Sequence, residues 1–141
     1  MALFSEQEQE DIRIAIENAE KNTSGEIRIC AQKKCEGDTL DIAANYFLKI
    51  GMDKTALRNG VLIYIATEDH KFAIIGDKGI NEVVPGDFWD TTKAAMLQKF
   101  REGQLAEGLV TGINMAGEKL KQYFPHFDGD KNELSDEISY M

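Results

Sequence analysis

Cysteine and proline occur only twice each in this 141-residue chain, tryptophan once, and basic residues are outnumbered 16 to 25 by acidic ones. Each scarcity excludes something. Cys30 lies within a strand pattern and Cys35 just past its end, with neither a Cys-x-x-Cys pair nor a zinc ligand set. Redox relay and zinc modules are therefore set aside, and free thiols in a reduced compartment are expected. A net charge of −9 disfavours binding to a phosphate backbone, which needs clustered Lys and Arg, so no nucleic-acid partner is expected. No apolar run approaches the roughly 20 residues of a spanning helix. The opening Met-Ala-Leu-Phe-Ser-Glu-Gln-Glu turns acidic at once, without the basic-then-apolar pattern of a signal peptide, so a cytoplasmic chain without a membrane anchor is expected.

Nucleotide and nucleophile motifs are missing too. There is no Walker loop, and Gly76-x-x-Gly79 lacks the first glycine of a dinucleotide fingerprint. Cys35 is followed six residues later by Asp41, where a cysteine phosphatase loop needs Arg. His70 and His126 lie far apart and read as surface residues; Phe88 and Trp89 read as core.

What is present is a regular α/β rhythm. Ser5 with Glu8 forms a capping-box pattern, and Ile12, Ala15, Ile16 and Ala19 follow at helical spacing. Glu26-Ile27-Arg28-Ile29-Cys30-Ala31-Gln32 alternates polar and apolar, the pattern of a half-buried strand. Asp38 or Thr39 can cap the next helix, which carries Leu40, Ala43, Ala44, Phe47 and Leu48, and Gly51 can end it. Val61-Leu62-Ile63-Tyr64-Ile65-Ala66 is a continuous apolar run, the pattern of a strand covered on both faces. A short Thr67-Glu68-Asp69-His70 turn leads into the strand Phe72-Ala73-Ile74-Ile75, a hairpin. Residues 76–79 read as a glycine loop, 80–84 as a helical turn, and Asp87 as the cap of a helix carrying Trp89, Thr92, Met96, Leu97 and Phe100. The last helix, near Leu105–Tyr123, has Gly108, Gly112 and Ala116 four apart, a smooth stripe for close packing. One domain over 1–125 is expected, followed by an acidic, flexible tail over 126–141. In that tail Asp128-Gly129-Asp130-Lys131-Asn132 starts like an EF-hand loop but has Glu133 and Ser139 where glycine and glutamate belong.

The order α-β-α-β-β-α-α predicts a three-layer α/β/α sandwich around a small mixed sheet of three to four strands, Rossmann-like in its layers. The first two strands run together and the third runs back. That places Glu26, Asn59, Asp77, Glu82 and Asp87 at one end of the sheet, a set of hard oxygen donors suited to calcium, with magnesium second. Asn59 and Asp87 are equally the residues that cap turns. The opposite end gathers Asp38, Asp41, Glu68 and Asp69 as a rival site.

The motifs Ser24-Gly25-Glu26-Ile27-Arg28-Ile29, Arg58-Asn59-Gly60-Val61-Leu62-Ile63, Ile75-Gly76-Asp77-Lys78-Gly79-Ile80-Asn81, Phe100-Arg101-Glu102-Gly103 and Gly108-Leu109-Val110-Thr111-Gly112-Ile113 together resemble the TPM domain over about residues 5–124. That family is named for a thylakoid-lumen phosphatase, a photosystem II repair protein and a receptor modulator. The resemblance implies an α/β/α sandwich, calcium binding and, for plant members, acid phosphatase activity. The family's Gly-Tyr-Gly-Leu-Glu loop stands here as Gly-Asp-Lys-Gly-Ile-Asn, with the acid displaced to Glu82. Three functions follow as expectations: a divalent-cation-binding domain, a metal-assisted phosphatase acting on phosphomonoesters, and a non-catalytic adaptor that uses the tail and the glycine-striped helix to meet a protein partner.

Overall fold

Ser5 opens the first helix, α1 (Glu6–Glu20), with the reciprocal bonds its spacing predicts. Its Oγ accepts from Glu8 N at 3.1 Å, and Glu8 Oε1 accepts from Ser5 N at 2.9 Å. The structure is a computed structural model that describes residues 3–126 together with the backbone of 139–140. Strand β1 (Glu26–Gln32) follows, then α2 (Thr39–Lys49), a 3₁₀ turn at Met52–Lys54, β2 (Gly60–Ala66) and β3 (Lys71–Gly76). The order continues through α3 (Lys78–Asn81), α4 (Asp90–Arg101), α5 (Leu105–Tyr123) and a two-residue β4 (Ser139–Tyr140).

The sheet runs β3-β2-β1-β4. β1 and β2 are parallel, with Glu26 opposite Gly60 and Gln32 opposite Ala66. β3 returns antiparallel along β2, with Gly76 opposite Val61. β4 pairs in parallel with Cys30 and Ala31 on the other side of β1. The expected acidic tail falls mostly outside the described residues, as does the Asp128–Asn132 segment, and its Ser139–Tyr140 forms this strand.

Strand alternation sorts the core into two layers. Ile27, Ile29, Val61, Ile63, Ile65 and Ile74 pack with α1, α4 and α5 on one face. Cys30, Leu62, Tyr64 and Ala73 pack with Ala43, Tyr46 and Phe47 of α2 and with Met52 on the other. This is the three-layer α/β/α sandwich the element order predicts.

Three local expectations need correction. β1 is buried on both faces, not half-buried: Glu26 is 3% and Arg28 1% exposed. The alternating charges neutralise each other beneath cover instead of facing water. The turn after β3 starts at Lys78 rather than Ile80, because Asp77 caps it, its carboxylate accepting from Lys78 N at 2.7 Å. Helix α4 starts at Asp90 with Trp89 in the cap position, so Asp87 is not a side-chain cap. Backbone bonds from Phe88 N to Pro85 O and from Asp90 N to Asp87 O fill the turn in its place.

The small-residue stripe of α5 is used within the chain. A side chain at Gly108 would run into the Phe100 ring, one at Gly112 into Met96, and one at Gly117 into Ala19. So α5 lies close against α4 and α1. Among the described residues no helix is long and apolar enough to cross a membrane.

Candidate functional site

The amino ends of β1 and β2 and the carboxyl end of β3 meet at one edge of the sandwich. Register fixes this: Glu26 faces Gly60, and Val61 faces Gly76. Asp77 N donates to Gly60 O at 2.9 Å and Gly79 N to Arg58 O at 2.8 Å, which ties the glycine loop to the start of β2. Gly79 is needed there, because a β-carbon would collide with the carbonyl oxygens of Leu57 and Arg58.

Of the five donors named from sequence, three share this end with their polar atoms already engaged. Asp77, 6% exposed, takes the Arg58 guanidinium in a two-pronged pair, Nε to Oδ2 at 2.7 Å and Nη2 to Oδ1 at 2.8 Å. Glu26 accepts from Arg28 Nη2 at 2.9 Å. Arg28 Nη1 reaches Glu20 Oε2 at 2.7 Å and also donates to the Ile27 carbonyl. This buried group, with Arg28 between Glu26 and Glu20, couples α1 to β1. Asn59, 1% exposed, donates from Nδ2 to Ser24 Oγ at 3.3 Å. Glu82 is on the surface, 3.9 Å from Lys78 Nζ. Asp87 is exposed, and its carbonyl serves the α4 start.

At the opposite end, Asp38 caps α2 by accepting from Asp41 N at 3.0 Å, and Asp69 Oδ2 accepts from Cys35 N at 2.7 Å. Asp41 and Glu68 are exposed. Among the described residues, no three His, Cys, Asp or Glu side chains form a group that could hold a metal ion.

Two residues at the first end fall outside the donor set named from sequence. Arg58, its side chain 44% exposed, sits in the left-handed region at φ 51° and carries the Asp77 pair. Its guanidinium is held above its ordinary pKa: the hydrogen bonds to Asp77 act most, and the charges of Asp77, Asp53 and Glu82 add, against the opposing effect of desolvation. Asp53, in the 3₁₀ turn, is the second. Its Oδ1 is buried without a hydrogen-bond partner among the described residues, and so is Oγ1 of nearby Thr55. Orphaned buried oxygens of this kind call for an explanation. Three carboxylates thus act on one guanidinium.

Fold and site define a class: a small α/β/α sandwich whose parallel pair is extended by a hairpin, with an acidic loop cluster at the hairpin's end. The chain belongs to the TPM domain family, whose model matches residues 1–119. It is similar to the BA42 protein from the psychrophilic bacterium Bizionia argentinensis, solved by NMR, at 48% identity over 99% of this chain and 97% of that one, with a TM-score of 0.94. The N-terminal domain of the cg2496 protein from Corynebacterium glutamicum shares the fold at 14% identity and a TM-score of 0.67, over 99% of this chain and 80% of that one. A search of curated proteins finds no match.

Proposed function

We propose that this TPM domain binds a divalent cation, calcium ahead of magnesium, where Asp53, Asp77 and Glu82 act on Arg58. The observation that carries the reading is the buried Asp53 Oδ1, without a hydrogen-bond partner among the described residues, whose charge acts on a guanidinium that already feels two further carboxylates. Arg58 is then the internal counter-ion. It holds the acidic loops together until a cation of higher charge density replaces it, and its exposure leaves room for it to swing away. Of the five donors named from sequence, Asp77 and Glu82 belong to this set. Glu26 and Asn59 are engaged by Arg28 and by Ser24 instead, and Asp87 stands outside the set.

A calcium titration followed by ¹H–¹⁵N NMR is expected to shift amides over 52–60 and 76–83 in a saturating manner. Asp77→Asn should weaken binding, and Arg58→Gln should strengthen it by removing the competitor. Saturation without an effect of either variant, or no saturating shift at all, overturns the reading.

A protein contact at the same end is the second reading. It is supported by the exposed Leu48, Leu57 and Val83, at 60%, 49% and 53%, and by the groove that Leu48 and Phe47 of α2 form with residues 75–78. The phosphatase activity that the family resemblance implies would rest on the same cation, which supplies water activation at such centres. It is tested by phosphomonoester turnover that disappears with EDTA and with Asp77→Asn.

A further inference from the structure

At the other end of the sheet, between the β2–β3 turn and the α4–α5 turn, lies a cavity of about 80 Å³. It sits just past the carboxyl end of β2, the place where open α/β sheets hold small ligands. Its walls are apolar and include Phe72, Leu97, Phe100 and Leu105. Phe72 and Phe100 meet edge to face at 5.0 Å, and Phe100 is backed by Gly108, so these walls are preformed.

The rim has the opposite character to the rest of the surface. His70, Lys71 and Arg101 line the mouth, and among the described residues no Asp or Glu lines it. In a chain of net charge −9 this is a local reversal. Among the described residues neither Lys71 nor Arg101 has an ion-pair partner. The adjacent Asp69 carboxylate is engaged by Cys35 N.

We propose that this cavity binds a short, branched aliphatic monocarboxylate. The volume suits a tail of roughly three to four carbons, since an apolar cavity of about 150 Å³ holds the six of benzene. It is far below the roughly 300 Å³ or more of pockets that enclose drug-sized ligands, so a nucleotide is too large. The carboxylate is the head that a guanidinium and an ammonium at the mouth select, through charge-assisted hydrogen bonds. Apolar walls alone would take an alcohol equally well; the cations at the mouth distinguish the acid.

The test is an NMR titration of the full chain with sodium isovalerate, with acetate and isopentanol in parallel. Isovalerate should shift amides over 65–72 and 97–105 and saturate. Acetate, which lacks the tail, and isopentanol, which lacks the charge, should each bind about tenfold more weakly or less. Arg101→Gln with Lys71→Gln, both at exposed positions, should reduce isovalerate binding to the level of isopentanol and leave isopentanol unchanged. Equal binding of alcohol and acid, insensitivity to the double variant, or saturating shifts elsewhere in the chain would each overturn the proposal.

Discussion

Gly79 is where a single methyl group would disturb most. Its missing β-carbon makes room for two backbone carbonyls, and backbone cannot rotate aside as a side chain can. Gly79→Ala is therefore expected to destabilise the fold by about 1–3 kcal/mol, the usual range for overpacking, and to loosen the Asp77–Arg58 corner. Gly86 is the matched control. A β-carbon there meets nothing within 4 Å, so Gly86→Ala should be neutral or stabilising by a few tenths of a kcal/mol, up to about 1. Urea midpoints of the two variants decide the matter, and equal midpoints would show that the loop yields freely. At this scale the sequence was only partly legible. The gathering of Glu26, Asn59 and Asp77 at one sheet end follows from strand direction alone. Their pairings do not, because a carboxylate near an arginine in sequence can face it or face solvent. Arg58 was the least readable. The left-handed conformation would be assigned to its neighbour Asn59, a residue that tolerates it, yet Arg58 adopts it and so reaches Asp77.

Helix starts are set by whichever group satisfies the first free amides, and this chain uses two solutions. α1 uses a complete capping box, so Ser5→Ala should cost about 1 kcal/mol, read as a lower urea midpoint with an unchanged slope. Ile12 and Ile16 remain buried in that variant, so the helix should persist and only its first turn should fray, visible as faster amide exchange at Glu8. A loss below about 0.3 kcal/mol would mean that packing alone sets this end. α4 uses the other solution, a backbone turn over residues 85–90 with no side-chain cap. That difference explains which elements could be read in advance. α1, α2, the hairpin and α5 announce themselves through caps, apolar runs and periodicity. The starts of α3 and α4 do not, since Asp77 and Asp87 offer the same capping chemistry and only the tertiary position of Gly60 and Arg58 favours the first.

The whole sheet is organised around β1 and β2, both buried along their length, and this has a consequence in alkali. The order β3-β2-β1 follows from a crossover and a hairpin; the addition of β4 beyond β1 could not be read, because two residues carry no pattern. Between the sheet and α2, Cys30 and Tyr64 stand opposite each other in register. Burial pushes the Cys30 thiol up to about 12 from 9.0, against a smaller lowering by Lys49, and burial also raises the Tyr64 phenol. In the unfolded chain the thiol ionises near 9 while in the folded chain it stays protonated. Its contribution is therefore complete below pH 9 and is lost progressively as pH climbs toward 12. At 1.36 kcal/mol per unit above the unfolded value, the thiol removes about 2 kcal/mol of stability between pH 8 and pH 10.5. Lysines also lose charge in this range, and the growing net negative charge weakens any form of the protein. The measurement is thus a difference: urea midpoints of the native chain and of Cys30→Ala at both pH values. Cys30→Ala should start less stable at pH 8, because a buried sulfur is removed, and should then lose about 2 kcal/mol less on the way to pH 10.5. Parallel losses in the two proteins would show that Cys30 ionises freely in the folded state, and that the α2 layer admits water at the centre of the sheet.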